Sequence, residues 1–376
     1  MATLFEETTI NGLTMRNRML RSATWEGMCE QDGRPTERLI NCYRDLAKGG
    51  IGLIITGYAF VRLDGKHNPG QMGIHTDDFA DDYKKMIQAV HEAGGKIAIQ
   101  LVHAGGQANA EIAGRQPLAP SAVKVDQFPE MPAELTRDEI SNIIRAFGEA
   151  AYRAKSWGFD AVQLHGAHGF LINQFLSPLT NRRTDEYGGS IENRSRFVLE
   201  VYQKVRETVG SDYPVLIKLN AADYTDGGLE IDDSVYASKK LAEAGINAIE
   251  VSAGTSASGE KSPVRDKINK SEKEAYNLEL ARRIKEAISC PVMVVGGFRS
   301  YRVAEKALRD YGIDYISMAR PLIREPGLAN RWLQDDRKRA RCISCNKCFM
   351  PGREEGGIYC VIEKKKQEKA VKKTSE

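Results

Sequence analysis

The chain has 376 residues, with 54 basic and 51 acidic side chains and a formal net charge of +3. This near balance argues against nucleic acid or an acidic membrane surface as a partner, so a small-molecule substrate is the expected ligand. The apolar runs are too short for a membrane-spanning helix, and residues 1–7 lack the basic start and apolar core of a signal peptide. We therefore expect a soluble, cytoplasmic protein, whose oligomeric state stays open.

Short apolar runs alternate with amphipathic segments along most of the chain. Eight runs lack regular polar alternation, which is typical of parallel strands buried on both faces. They are residues 18–22, 52–56, 96–101, 161–165, 215–219, 248–251, 292–295 and 315–318. Helices are predicted at residues 79–93, 137–157, 191–209, 232–244, 272–288 and 302–311. This α/β pattern favours a TIM (β/α)8 barrel, although an open doubly wound sheet has a similar alternation.

The composition changes near the C-terminus and divides the chain into three parts. Residues 1–336 contain the predicted barrel, residues 337–362 contain four of the seven cysteines, and residues 363–376 are strongly charged. We expect this charged tail to be disordered. A polar stretch at residues 253–271 follows the sixth strand and predicts a mobile loop over the mouth of the active site.

Small and polar residues cluster at the predicted carboxyl ends of the strands, where the βα loops of a barrel build the active site. In chain order these residues are Ser22, Ala23, Thr24, Gln100, His165, His168, Lys218, Gly296, Gly297, Ala319 and Arg320. Glycines after the seventh strand and a cation after the eighth predict a phosphate site, because backbone N–H groups and a guanidinium both bind anions. Two ordinary glycine turns are the alternative.

A long run beginning at His165 resembles the signature of the Old Yellow Enzyme family. It reads His165-Gly-Ala-His168-Gly-Phe-Leu-Ile-Asn-Gln174 and continues through Tyr187-Gly-Gly-Ser190. Shorter pieces agree in order: Asn17-Arg18, Arg21-Ser-Ala-Thr24, Gln100-Leu-Val-His103, Val295-Gly-Gly297 and Met318-Ala-Arg320. The resemblance implies an FMN-binding barrel that takes hydride from NADH or NADPH. The expected acceptor is an α,β-unsaturated carbonyl or enoyl-type compound.

The resemblance also implies which residues bind FMN. They are Ser22, Ala23 and Thr24 with Gly57 or Tyr58 on one side of the ring, Gln100 and Lys218 at the pyrimidine edge, and Gly297 and Arg320 at the phosphate. A cation at the pyrimidine edge stabilises the negative charge of reduced flavin. A strand-end lysine that only reaches water is the alternative for Lys218.

The histidines at positions 165 and 168 are the expected catalytic pair. The resemblance implies that both donate hydrogen bonds to a substrate oxygen, which draws electron density from the carbon that receives hydride. Taken alone, a His-x-x-His pair also fits a metal site or two core histidines.

Two positions depart from the family pattern, and both belong to the expected substrate pocket. Phe170 occupies the position of a family tyrosine that protonates the substrate, so the proton would come from water or from another residue such as Tyr58 or Tyr224. Trp25 replaces a smaller residue that tunes the flavin, and its bulk narrows the expected pocket.

Four cysteines lie close together near the C-terminus. Their spacing, Cys342-x-x-Cys345-x-x-Cys348 followed by Cys360, suits an iron–sulfur cluster or a structural zinc. It resembles the [4Fe–4S] motif of the branch that includes 2,4-dienoyl-CoA reductase and trimethylamine dehydrogenase. No G-x-G-x-x-G follows a strand, so we expect the second nucleotide-binding domain of those relatives to be absent.

Other functions remain open at this point. The runner-up is a flavin-dependent amine dehydrogenase or demethylase that passes electrons to the cluster, which Phe170 favours because no proton is then delivered to carbon. A partner protein that supplies electrons through the cluster is the alternative to direct NAD(P)H reduction. A third reading is an electron-transfer or structural protein with a vestigial flavin site.

Overall fold

The computed structural model describes residues 2–374, and the side chains of residues 2–371. Its core is a closed barrel of eight parallel strands, each paired with the next along the chain. They are β1 (Met19–Arg21), β2 (Leu53–Phe60), β3 (Ile97–Val102), β4 (Ala161–Gly166), β5 (Val215–Asn220), β6 (Ala248–Ser252), β7 (Val292–Val295) and β8 (Tyr315–Met318). Pairing of β8 with β1 closes the barrel, which confirms the predicted TIM (β/α)8 fold over an open sheet.

Helices surround the barrel. The longer ones are α1 (Glu37–Lys48), α2 (Ala80–Glu92), α3 (Arg137–Trp157), α4 (Arg196–Val209), α5 (Ile231–Glu243), α6 (Leu278–Lys285) and α7 (Tyr301–Tyr311). Short helices span Ala110–Ala113, Leu171–Leu176, Ile191–Arg194, Arg320–Arg324, Leu328–Leu333 and Met350–Glu354, and a final helix spans Val361–Thr374. Two small sheets pair Thr8–Ile10 with Leu13–Met15 and Leu118–Ala119 with Ala133–Glu134. Among the described residues, no helix has the length and apolar character to cross a membrane.

Local sequence signals explain where the best-predicted helix begins and ends. Thr136 and Glu139 form a capping box at the start of α3, in which each side chain accepts from the other residue's backbone N–H. Gly158 ends the helix in the left-handed region, with a φ of 101° that a glycine adopts without steric cost. The boundaries of α3 therefore match the prediction.

Several predicted boundaries are wrong. The predicted helix 191–209 is broken at Ser195, and the predicted helix 272–288 is helical only over Leu278–Lys285. Strand β2 extends to Phe60. Its pairing with β3 shifts register between Ile55 and Tyr58 and then continues to the end of the strand. Residues 363–374 of the charged tail lie in a helix, since Lys, Glu and Gln have high intrinsic helix propensity, and residues 375 and 376 lie outside the described residues.

A buried ion pair fixes the loop that follows β1. The guanidinium of Arg21 pairs with the carboxylate of Glu26, and both side chains are 3% exposed. Arg21 also donates to the carbonyl of Ile55 at 2.7 Å, and the Tyr43 hydroxyl donates to Glu26 at 2.8 Å. The Tyr43 hydroxyl in turn accepts the N–H of Gly57 at 3.0 Å. Residues 22–25 are therefore tied to β2 and α1.

Glu26→Ala should lower the free energy of unfolding by about 3–5 kcal/mol, because it leaves the Arg21 charge buried and unpaired. Urea titration measures the loss. Glu279→Ala is the control, since the Glu279 pair with Arg282 is largely exposed and its removal should cost nothing measurable. Equal stability of the two variants would contradict a structural role for the Arg21–Glu26 pair.

Candidate active site

A cavity of about 400 Å³ opens at the carboxyl ends of the barrel strands. Most of the sequence-predicted site residues line it: Ser22, Ala23, Thr24, Trp25, Tyr58, His165, His168, Phe170, Lys218, Gly297, Ala319 and Arg320. Its volume lies in the range of small-molecule sites. The barrel therefore brings together residues that are almost 300 positions apart in sequence.

Four of the residues predicted to bind the flavin or the substrate lie outside the lining of this cavity. Gln100 is fully buried within β3, Gly57 is covered by Glu26, and the Gly296 carbonyl accepts the N–H of Tyr276 at 3.1 Å. Tyr224 has a φ of 54°, and its ring faces the ammonium of Lys261, 4.9 Å from the ring centroid. Tyr224 is therefore poorly placed as a proton donor to a ligand in the cavity.

His165 lies at the end of β4 and presents a hydrogen-bond donor to the cavity. Its Nδ1 accepts the N–H of Ala167 at 3.3 Å, so the proton of a neutral ring lies on Nε2. Burial lowers the pKa of His165 well below its usual range, and His168 and Lys218 lower it further. The ring is therefore a neutral imidazole at physiological pH.

His168 lies in the loop after β4, and its backbone φ of 61° is unusual for a residue with a side chain. Its ring is 5.3 Å from the ring of His165 at an interplanar angle of 87°, and its Nε2 lies 2.7 Å from the Ser252 hydroxyl. Burial, followed by Lys218, lowers the pKa of His168 to about 3. The strained backbone thus positions a second neutral imidazole beside the first.

Aromatic side chains form one wall beside the histidines. The ring of Phe170 lies 4.7 Å from that of His165 and 5.2 Å from that of Tyr58. The Tyr58 hydroxyl accepts from Asn68 Nδ2 at 2.8 Å and lies 3.4 Å from Nδ1 of His67. Burial and then Arg353 lower the pKa of His67 to about 4, while burial raises the pKa of Tyr58 above its ordinary value. Tyr58 therefore keeps its proton.

A polar network lies beneath the cavity, and two of its members were not predicted from sequence. Lys218 donates to the Ser22 hydroxyl at 2.9 Å and pairs with Glu250 at 3.4 Å. Gln163 donates to Glu250 at 2.8 Å and accepts from Gln100 at 2.6 Å. The Gln100 Oε1 has no partner among the described residues, so it is free to accept from a ligand.

One end of the cavity is positively charged. Arg320 donates to the carbonyl of Arg265 at 2.7 Å and to Asn346 Oδ1 at 2.5 Å, and Arg299 lines the same end. Gly297 adopts a φ of 73°, where a Cβ would meet the Tyr276 ring at 2.8 Å. Arg299 was missed from sequence, although it follows the Gly296-Gly297 pair by two residues. Two guanidinium groups beside a glycine turn suit a phosphate.

The segment after residue 339 forms part of the cavity. Ser344, Asn346, Phe349 and Arg353 line it. The indole N–H of Trp25 donates to the carbonyl of Pro69 at 3.2 Å, and a Cβ on Gly352 would lie 2.9 Å from the Trp25 ring. Gly352 thus packs closely on Trp25, and C-terminal residues form part of the cavity wall.

The cysteines at 342, 345, 348 and 360 line a second, smaller cavity of about 20 Å³. Arg320 and Asn346 border both cavities. Burial raises the pKa of Cys342 above its ordinary value and that of Cys348 to about 12, which keeps both as thiols in the absence of a cation. Within residues 2–374, no set of three or more His, Cys, Asp or Glu side chains is arranged as a metal site. The predicted ligands are thus neighbours without a coordination geometry.

Together the closed barrel and the cavity at the carboxyl ends of its strands define a (β/α)8-barrel protein with a candidate small-molecule site. The chain belongs to the NADH:flavin oxidoreductase / NADH oxidase family, whose sequence profile matches residues 3–339. This match confirms the family expected from the sequence.

Two relatives and one solved structure illustrate the similarity. An NADH oxidase from Thermoanaerobacter brockii is 38% identical over 353 residues, covering 93% of this chain and 54% of that protein. An NADPH dehydrogenase from Bacillus velezensis is 37% identical over 331 residues, covering 87% of this chain and 93% of that protein. A 2-naphthoyl-CoA reductase in complex with 2-naphthoyl-CoA superposes with a TM-score of 0.87 at 29% identity, covering 95% of this chain and 56% of that chain.

These matches differ in extent. This chain spans about half the length of the NADH oxidase and of the 2-naphthoyl-CoA reductase. Both matches cover more of this chain than residues 3–339, so they extend into the cysteine segment. The match to the NADPH dehydrogenase covers 87% of this chain, which is short enough to end before the cysteine segment.

Acid should destabilise the protein partly through His168. Its pKa is about 3 when folded and about 6.5 when unfolded, so the unfolded state takes up a proton as the pH falls below 6.5. Between pH 7 and pH 5 this costs about 2 kcal/mol, and His168→Asn should lose that much less stability over the same interval. Urea unfolding at both pH values measures the difference. Parallel losses in the two proteins would contradict a neutral, buried His168.

Proposed function

We propose that this protein is an FMN-dependent oxidoreductase that transfers hydride from NADH or NADPH to an α,β-unsaturated carbonyl or enoyl-type acceptor. The observation that supports this most directly is the pair of neutral imidazoles, His165 and His168, in one cavity with Lys218. The relatives named NADH oxidase and NADPH dehydrogenase agree with the proposal. The 2-naphthoyl-CoA reductase suggests an acyl thioester as one substrate class.

The residues present fit FMN. The arginines at 299 and 320 would bind the phosphate, Lys218 would lie at the pyrimidine edge, and the unpartnered Gln100 Oε1 would accept from the ring. Residues 22–24 and Tyr58 would line the other side. When bound, FMN accepts hydride from a nicotinamide and passes it to an acceptor.

The histidines supply the electrophilic part of the site. The Nε2–H of His165 would donate to the carbonyl oxygen of the substrate. His168 would donate its Nδ1–H, with its Nε2 accepting from the Ser252 hydroxyl. Because both rings are neutral, they stabilise developing negative charge as hydrogen-bond donors and not as acids. Removing one such donor from a preorganised site costs about 10²–10³ in rate.

Tyr58 is the better-placed proton donor in the absence of a tyrosine at position 170. Tyr58 lines the cavity and its hydroxyl is held by Asn68, whereas Tyr224 lies outside the lining. Hydride added at the β-carbon and a proton from Tyr58 at the α-carbon together saturate the double bond, and water reprotonates Tyr58.

The decisive experiment is anaerobic mixing of the purified yellow protein with NADH or NADPH. We expect one nicotinamide to bleach the flavin absorbance near 450 nm and an enone or enoyl thioester to restore it. Disappearance of the alkene proton signals in the NMR spectrum identifies the saturated product. Bleaching by amines and not by nicotinamides would contradict the proposal and favour the amine dehydrogenase alternative.

Variants of the histidines test the site within the same experiment. His165→Ala with His168→Ala should leave FMN bound, abolish the long-wavelength band that phenols produce with flavin, and slow acceptor turnover at least 100-fold. Tyr224→Phe is the matched control and should behave as the parent protein. Unchanged phenol binding in the double-histidine variant would remove these residues from the substrate site.

We further propose that the cysteines at 342, 345, 348 and 360 bind a [4Fe–4S] cluster, with zinc as the alternative. Their location around one small cavity and the extension of the two longer matches into this segment support the proposal. Thiolate ligation would displace the protons that burial retains on Cys342 and Cys348. A cluster here would also give an electron-transfer partner a route to the flavin.

Protein purified without oxygen should contain about four iron and four sulfide per chain, as the cluster formula requires. Cys345→Ala should lose the iron and keep the flavin, whereas Cys290→Ala, which changes a cysteine outside this cavity, should keep both. Metal analysis and a visible spectrum measure the outcome. Stoichiometric zinc without sulfide would show that the site binds a structural zinc and not a cluster. Absence of both iron and zinc would refute a metal site.

A further inference from the structure

A carboxylate is buried beneath the cavity, next to the lysine expected at the flavin. Glu250 lies in the middle of β6 and has no exposed surface. One of its oxygens accepts from the Ser22 hydroxyl at 2.7 Å, and the other accepts from Gln163 Nε2 at 2.8 Å. Lys218 Nζ lies 3.4 Å from the second oxygen. The carboxylate thus has a partner on each oxygen.

The barrel register fixes these neighbours. Glu250 pairs with Lys218 across β5 and β6, and Lys218 pairs with His165 across β4 and β5. The side chains of Glu250 and Lys218 therefore lie side by side in the barrel interior, where neither has room to move to water. Lys218 borders the cavity and Glu250 does not, so Glu250 acts on a ligand only through space and through Lys218.

The charges of the two side chains oppose each other. A buried lysine alone would present a full positive charge to the cavity, whereas Lys218 with Glu250 forms a pair of zero net charge. Coulomb interactions are strong where water is excluded. The Glu250 carboxylate, 3.4 Å from the Lys218 ammonium, therefore reduces the effect of that ammonium on a bound ring. Burial lowers the pKa of Lys218, and the carboxylate of Glu250 opposes that change.

We propose that Glu250 is a positioning residue that lowers the reduction potential of the bound flavin by offsetting the charge of Lys218. The inference depends on the proposed FMN site. Two-electron reduction adds negative charge to the pyrimidine ring, so any neighbouring negative charge opposes it. Glu250 makes the flavin a stronger reductant than Lys218 alone would allow, and this favours hydride transfer onward to the acceptor.

The test is the midpoint potential of the bound flavin, measured at one fixed pH in equilibrium with a reference dye. Glu250→Gln is nearly isosteric and should raise the potential above that of the parent protein. Glu250→Asp keeps the carboxylate charge, but its shorter side chain places that charge farther from Lys218. It should therefore raise the flavin potential by a smaller amount than Glu250→Gln. This second variant decides the question if Glu250→Gln does not fold.

Glu279→Gln is the control, because it also removes a carboxylate charge, but from a largely exposed side chain outside the cavity lining. It should keep the parent potential. An unchanged or lower potential in Glu250→Gln and Glu250→Asp, or an equal rise in Glu279→Gln, would overturn the charge argument. Absence of FMN from the folded parent protein would instead refute the proposed function, so the two failures are distinguishable.

Discussion

Closure of the sheet between β8 and β1 is the constraint on which the site depends. The N–H of Ser22 donates to the carbonyl of Met318 at 2.8 Å, which continues the strand pairing past the end of β1. This bond places the first and last βα loops side by side, so residues 22–24 and Arg320 border one cavity. In an open sheet the first and last strands would be edges, and these loops would not meet.

Buried charge has two different uses in this barrel. The Arg21–Glu26 pair lies beside α1 and is enclosed by Tyr43 and Gly57, away from the cavity lining, so its effect is to fix a loop. The Lys218–Glu250 pair lies under the cavity and leaves the ammonium exposed to a ligand. Desolvation penalises both pairs, but only the second pair has a member that lines the cavity.

The sequence predicted the barrel and most of the cavity lining because strand ends are visible as the ends of apolar runs. It did not predict which inward-facing side chains would bind one another. Glu250 is one polar residue within a strand, and only the register with Lys218 shows what it contacts. The position of Tyr224 was equally invisible, since no sequence pattern reveals that its backbone is left-handed or that its ring lies against the Lys261 ammonium.

The cysteine segment is joined to the active site more closely than its position after the barrel suggests. The N–H of Ile358 donates to the carbonyl of Glu26 at 2.8 Å, next to the ion pair that fixes the first βα loop. Asn346, between Cys345 and Cys348, binds Arg320 at the proposed phosphate end. A metal bound by these cysteines would therefore also fix Asn346, because Asn346 follows Cys345 directly in the chain. It would in this way fix the hydrogen bond between Asn346 and Arg320. The same segment would then serve two roles, closing the cavity through Phe349 and Arg353 and holding the cation at its phosphate end.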